Sequence, residues 1–303
     1  MTGPRPMAPG SDSAEPTFAE CLAAGLRELE REACGSVLVP GALSTGLAPL
    51  DAALGGLRPG AVYVVAGRPG MGATALAIGL TLAVARDSPG AATKGTSQRR
   101  AWYFTLALSA PALATRMLAA EAGVDVDLLR GEAPDRAAWS RLVATAEALS
   151  GRSVRVIGDS TPTIAGVAAS LADCRRDAPG APALVVLDPV DSLIDGEESP
   201  GEVARMLQRV AVEGGAAVVL TAPVKSALER RQDRRPRLGD LLLPDDLLGA
   251  ADVVLLLYRP AYYGVVDALD ADRAEVLVAR NRFGRTRNVG LRFDRRCARF
   301  EPA

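Results

Sequence analysis

The segment Gly67-Arg68-Pro69-Gly70-Met71-Gly72-Ala73-Thr74 follows an apolar run and leads into a stretch of helical periodicity. Glycines let successive backbone N–H groups converge on phosphate oxygens, and the N-terminus of the following helix favours an anion. The spacing is that of the phosphate-loop pattern G-x-x-x-x-G-K-S/T, except that Ala73 stands at the lysine position. Thr74 keeps a hydroxyl for Mg²⁺, but a methyl group at 73 cannot neutralise β- and γ-phosphates. Further along, Leu184-Val185-Val186-Leu187-Asp188 reads as a buried strand ending in a carboxylate, the arrangement that holds Mg²⁺ through water. Strands also end in aspartate for turn reasons, and a Gly-rich strand-to-helix turn needs no nucleotide. The two features together point to a nucleotide phosphate.

The elements that would position these residues alternate short apolar runs with helical stretches, the pattern of a parallel sheet with crossover helices. Strands are expected at Val62–Ala66, Ala101–Leu106, Val154–Ile157, Ala183–Leu187, Ala216–Leu220, Val253–Tyr258, Ala274–Val278 and Val289–Phe293. Helices are expected at 73–86, 110–122, 135–150, 163–177 and 200–213. Residues 1–16, rich in Pro, Gly, Ser and Ala, read as a disordered tail. Phe18, Cys21, Leu22, Leu26, Leu29 and Ala33 follow helical spacing, so 17–36 reads as a separate amphipathic helix ahead of the main domain at 40–303. That helix either folds back on its own domain or docks on a neighbouring subunit. Loops 87–100 and 224–246 read as mobile, the second carrying a charged run over 229–235.

Composition narrows the chemistry. At 303 residues and 49% hydrophobic content the chain can bury a large core. It has no histidine, which excludes histidine acid/base catalysis and histidine metal sites. Its only lysines are Lys94 and Lys225. A net charge of −1 gives no global basic field for nucleic acid, so DNA contact would need local patches. The four cysteines are scattered without a paired spacing, and no apolar stretch approaches about 18 residues, which points to a soluble, cytoplasmic protein with reduced thiols and no membrane span.

Several segments resemble the C-terminal motor domain of the DnaB helicase family over roughly 40–301. Ser44-Thr45-Gly46-Leu47, Leu50-Asp51 and Gly55-Gly56-Leu57 resemble its entry motif, and Ala66-Gly67-Arg68-Pro69 with Met71-Gly72 its phosphate loop. Arg116-Met117-Leu118 with Glu121-Ala122, Arg234-Arg235-Pro236, Asp240-Leu241, Ala251-Asp252-Val253-Val254, Tyr258-Arg259, Ala279-Arg280-Asn281-Arg282 and Gly284 carry the rest. The resemblance implies a RecA-like P-loop NTPase core, a mostly parallel twisted sheet flanked by helices. It also implies a hexameric ring, a role in DNA replication, ATP with Mg²⁺ held by Gly67–Thr74 and Asp188, and a linker helix at 17–36 that packs on the adjacent protomer. Arg280 and Arg282 match arginine fingers that reach a neighbour's γ-phosphate. Arg230, Arg231, Arg234 and Arg235 lie near the family's DNA-facing loop. The resemblance does not extend to the family's N-terminal helical domain, so primase recruitment is not expected.

Set against that pattern, the departures fall on the chemistry. Ala107 stands where the family has its catalytic glutamate, and Ala222 where it has a phosphate-sensing glutamine. Leu242 replaces an arginine, and Pro244-Asp245-Asp246 makes its loop acidic. A lost general base costs about 10²–10⁴ in rate, and members of one catalytic unit do not act independently. The expectation is a pseudo-ATPase that binds ATP and Mg²⁺ weakly or not at all. It would act through nucleotide, single-stranded DNA or protein contacts, as a homo-oligomer or in a mixed ring with an intact DnaB-like paralogue. The alternative is an active 5′-to-3′ helicase rescued by displaced groups such as Lys94, Arg68, Glu198 or Asp191, whose placement spacing does not fix.

Overall fold

The computed structural model describes residues 17–33, 37–86, 99–125, 135–158, 163, 165–170, 183–194, 199–264 and 270–303. The expected tail 1–16, most of loop 87–100 with Lys94, the end of the helix expected at 163–177, and Glu198 lie outside them. Among the described residues nine strands form one sheet: β1 Val62–Gly67, β2 Ala101–Thr105, β3 Val154–Gly158, β4 Leu184–Asp188, β5 Ala217–Pro223, β6 Val253–Tyr258, β7 Arg273–Asn281, β8 Arg287–Asp294 and β9 Arg299–Pro302. Their order is β3-β2-β4-β5-β1-β6-β7-β8-β9. The six strands from β3 to β6 are parallel, and β6 through β9 continue antiparallel. Eight of the nine strands match the expected positions. The four-residue β9, Arg-Phe-Glu-Pro, carries too little apolar signal to be seen before it pairs with β8.

Burial follows from topology. β1, β4 and β6 are buried at every residue, because crossover helices cover both faces of a parallel sheet. In β8 exposed and buried positions alternate along the strand, as suits an antiparallel strand with one wet face. Alternate strand residues feed two cores. Tyr63, Val65, Tyr103, Val186 and Val219 pack with α3 (Ala73–Arg86), and Val64, Trp102, Phe104, Leu187 and Leu220 pack with the helix Pro200–Val212. Ser199 and Glu202 close the start of that second helix as a reciprocal cap.

α1 spans Phe18–Ala33, and its Phe18, Leu22 and Leu26 are 79%, 51% and 60% exposed. α2 (Ala48–Leu54) precedes β1, and α4 (Ala110–Ala122) follows β2. The stretch 224–246 differs from the mobile loop expected of it. It folds as short 3₁₀ turns at Ser226–Arg230 and Leu238–Asp240 leading into the helix Asp245–Ala250, tied down by the pairing of Arg231 with Asp240 and of Arg235 with Glu275 on β7. No helix among the described residues is long and apolar enough to cross a membrane.

Because β1, β2, β4 and β5 run parallel, the segments that leave their C-terminal ends meet at one edge of the sheet. The chain leaves β1 toward β2 on one side and returns from β5 to β6 on the other, and such a reversal opens a crevice where ligands settle.

Candidate functional site

That crevice holds a cavity of about 520 Å³. Gly67, Arg68, Pro69, Gly70, Gly72, Ala73 and Thr74 form one wall, and Ala107, Asp188 and Ala222 line the rest. The structure therefore gathers into one space the phosphate loop, the carboxylate and all three alanine positions picked out in the sequence. Met71 is the exception, because its side chain is buried beneath the loop and anchors it.

The loop keeps a phosphate-binding shape. Gly70 and Gly72 have φ of 83° and 102°, a region that side chains rarely adopt. The Met71 amide donates to the Arg68 carbonyl at 2.9 Å, and α3 opens at Ala73. The first amides of a helix have no partner within it, so these N–H groups are available to an anion. A Cβ on Gly72 would lie 2.9 Å from the Phe300 ring and 3.0 Å from the Phe293 ring. Gly72→Ala is therefore expected to lower stability by about 1–3 kcal/mol, from backbone strain plus the aromatic clash. Thermal or urea unfolding measures it, and an unchanged midpoint would mean that the loop does not have this shape.

A buried arginine supports the loop from below. Arg259, only 6% exposed, donates from Nη1 to the Gly70 carbonyl at 2.8 Å, with its guanidinium 4.0 Å from the centre of the Phe293 ring. Burial, and then the charge of Arg295, depress its pKa to about 10, which still leaves it cationic at neutral pH. Arg116 on α4 is half-buried at the cavity wall and has no carboxylate partner among the described residues. These two arginines, with Tyr103 and Thr221, are the site residues that sequence reasoning missed. Arg116 and Arg259 were visible only as marks of family resemblance, and Tyr103 only as part of an apolar strand.

No lysine, glutamate or glutamine is among the described residues that line the cavity. Its lining is more apolar than polar, since methyl groups occupy positions 73, 107 and 222. Arg68 lines the cavity, while its Nε donates to Glu229 at 2.7 Å and its Nη1 to the Val224 carbonyl at 3.2 Å. Asp191 lines the cavity near Asp188, leaving it as the carboxylate among the expected rescuers that the structure does bring to the site.

Asp188 sits at the centre, 6% exposed. Its Oδ1 accepts hydrogen bonds from the hydroxyls of Thr221 and, at 3.2 Å, Thr74, and its Oδ2 accepts one from Tyr103. Burial first, then the Asp188 charge, push the Tyr103 phenol well above its ordinary pKa and keep it a donor. Thr74 and Asp188 thus stand together as a metal-holding pair would. The carboxylate, with about four acceptor positions, already satisfies three hydroxyls. Both oxygens of Asp188 are thus already held by hydroxyls of this chain.

The remaining arginine candidates lie elsewhere. β7 runs antiparallel to β6 with Asn281 opposite Val253, while the loop end of β1 lies beside Leu256, so Arg280 and Arg282 sit at the sheet edge away from this chain's own phosphate loop. Arg280 donates to the Leu248 carbonyl at 2.6 Å, and Arg282 to Asp252 at 2.9 Å and the Gly249 carbonyl at 3.1 Å. In the basic run, Arg230 is exposed. Arg231 pairs with Asp240 at 2.7 Å, Arg235 grips both oxygens of buried Glu275 at 2.9 Å, and Arg234 lies over the Tyr263 ring at 5.2 Å. Three of these four arginines are engaged by groups of this chain, Arg231 within its own loop and Arg234 and Arg235 outside it.

Comparison with known proteins supplies the lineage. Residues 42–302 match the family described as the DnaB-like helicase C terminal domain. Over 260 residues the chain is 30% identical to the replicative DNA helicase DnaB of Geobacillus stearothermophilus, covering 83% of this chain and 54% of the relative. It is 27% identical over 259 residues to the replicative DNA helicase DnaC of Bacillus subtilis, covering 83% and 54% respectively. The chain thus spans about half the length of these curated relatives. Among solved structures, the ATPase domain of G40P superposes with a TM-score of 0.81 at 21% identity, covering 95% of this chain and 99% of that one. A DnaB-like replicative helicase studied with primase gives a TM-score of 0.80 at 21% identity, covering 97% and 68%. At such identity these likenesses establish the RecA-like fold. With the family match spanning nearly the whole sheet and its phosphate loop, the chain belongs to the DnaB-like helicase C-terminal domain family.

Proposed function

We propose that this chain is a pseudo-ATPase of the DnaB type, a RecA-like domain that offers a phosphate cradle but does not hydrolyse ATP. The observation that carries this reading is that Ala73, Ala107 and Ala222 line one cavity around an otherwise well-formed loop. A nucleotide would be gripped by the amides of Gly70–Thr74 and by Arg116, in a space with no side chain placed as a general base at position 107. Bound ATP would supply the phosphates and the chain only their seat. Calorimetric titration with ATP and Mg²⁺, comparing the native protein with Ala73→Lys, tests it. The lysine is expected to tighten binding by about tenfold or more, as one charge-assisted hydrogen bond contributes about 1.5–3 kcal/mol. Equal affinities would mean that position 73 does not face a phosphate.

The placement of Arg280 and Arg282 favours a role in an oligomer. Facing away from the chain's own loop, they could reach a nucleotide only if a neighbour held it. The exposed apolar face of α1 fits the same picture, since Phe18, Leu22 and Leu26 need a surface to cover them. A ring, of one kind of subunit or mixed with a catalytically intact DnaB-type paralogue, satisfies both. Single-stranded DNA contact is assigned first to Arg230, because Arg231, Arg234 and Arg235 are committed to Asp240, Tyr263 and Glu275.

A further inference from the structure

We infer that Asp188 acts in this protein as an internal latch, not as a metal-facing acid, so that a phosphate seated on the loop is held without a divalent cation. The inference deepens the reading of the cavity as a nucleotide seat, but its first half stands on the fold alone.

The three hydroxyls that hold Asp188 come from three different elements. Tyr103 lies on β2, Thr221 on β5 and Thr74 in the first turn of α3, while Asp188 ends β4 between the two strands. One carboxylate thereby ties three adjacent strands and the loop helix together at the edge where the cavity opens. Tyr103 is fully buried at the middle of its strand, in register with Val186 on β4, so its ring cannot swing out to find water. Thr221 is also buried, and its hydroxyl donates to the same oxygen as Thr74. To swing toward the water shell of a cation, Asp188 would have to release the buried hydroxyls of Tyr103 and Thr221, and a buried unpaired hydroxyl is costly.

The two roles predict opposite signs for one substitution. Functional carboxylates in empty sites are commonly maintained at a cost to stability, so Asp188→Asn would leave the melting temperature of the ligand-free protein unchanged or raise it if Asp188 waited for metal. A latch predicts a fall of about 3 °C or more, because an amide presents one acceptor oxygen where the carboxylate presents two. Tyr103→Phe, which keeps the ring and removes only the hydroxyl, is expected to lower the melting temperature as well. The double variant is expected to melt no more than slightly below the worse single variant, since both remove the same bond. A melting temperature of Asp188→Asn at or above native overturns the latch, as does full additivity of the pair.

The second half is read with ADP and ATP as probes, by calorimetry in Mg²⁺ and again in EDTA. Affinities that agree within about twofold support a seat that makes no use of the cation, and absence of binding in both overturns the seat itself. Binding that tightens by about tenfold or more with Mg²⁺ in the native protein overturns it. Since the melting experiment involves no nucleotide, failure of the latch is distinguishable from failure of the nucleotide reading.

Discussion

Purified protein is expected to turn over ATP no faster than background, with or without single-stranded DNA. Turnover is expected to rise by at least about 10²–10⁴-fold when Ala73→Lys, Ala107→Glu and Ala222→Gln are combined with Tyr103→Phe. The lower bound is the contribution of a positioned base alone, and restored charge at position 73 adds to it. Each single replacement is expected to stay at background, because members of a catalytic unit contribute almost nothing without the others. The scaffold favours such a restoration, since positions 73, 107 and 222 still line one cavity beside Thr74 and Asp188. A phosphate-release assay on the native protein decides the matter first. A native rate of about 1 s⁻¹ or more, within the ordinary range of enzymes, would sink the pseudo-ATPase reading and leave Asp191 and Arg116 as the groups to examine for rescue.

The second large effect lies across a subunit boundary. Mixing this chain with an intact DnaB-type subunit is expected to yield rings in which Arg280 and Arg282 complete the partner's site, where arginine fingers are worth about 10³–10⁵ in kcat. Arg282→Ala in this chain is then expected to lower turnover at the mixed interfaces by that order, while leaving this chain's own fold intact. The side chain is half exposed, and its partner Asp252 keeps a hydrogen bond from the Val62 amide when the arginine is gone. Arg280 is the less suitable probe, because its bond to the Leu248 carbonyl holds the end of the helix Asp245–Ala250. Measured by steady-state turnover at fixed partner concentration, an effect of Arg282→Ala no larger than that of a distant surface arginine would remove the trans role.

The contrast between Arg282 and Arg235 shows what arginine count alone conceals. Both belong to runs that resemble functional loops of the family. Arg235 is bound at two nitrogens to Glu275, which is 6% exposed, and that pairing pushes its own pKa above the ordinary arginine value. Its guanidinium also lies 4.8 Å over the Tyr258 ring. Removing Arg235 would leave a buried carboxylate to Arg273 alone, so weakened DNA binding by such a variant would report lost structure as much as a lost contact.

By itself the sequence determined the strands of the parallel sheet, the phosphate loop and its missing lysine, and the alanines at 107 and 222. These are local properties: an apolar run of the right length, glycines at set spacing, one residue type in place of another. Tertiary structure alone decided which of the remaining polar groups meet. Tyr103 reaches Asp188 across 85 residues, Arg259 reaches Gly70 across 189, and Arg235 reaches Glu275 across 40. Each of these contacts depends on strand order, on register between neighbouring strands, and on which face of the sheet a side chain points to. Periodicity along the chain carries none of that information. An arginine that grips a buried carboxylate and one that awaits a neighbour's phosphate therefore read alike until the sheet is assembled.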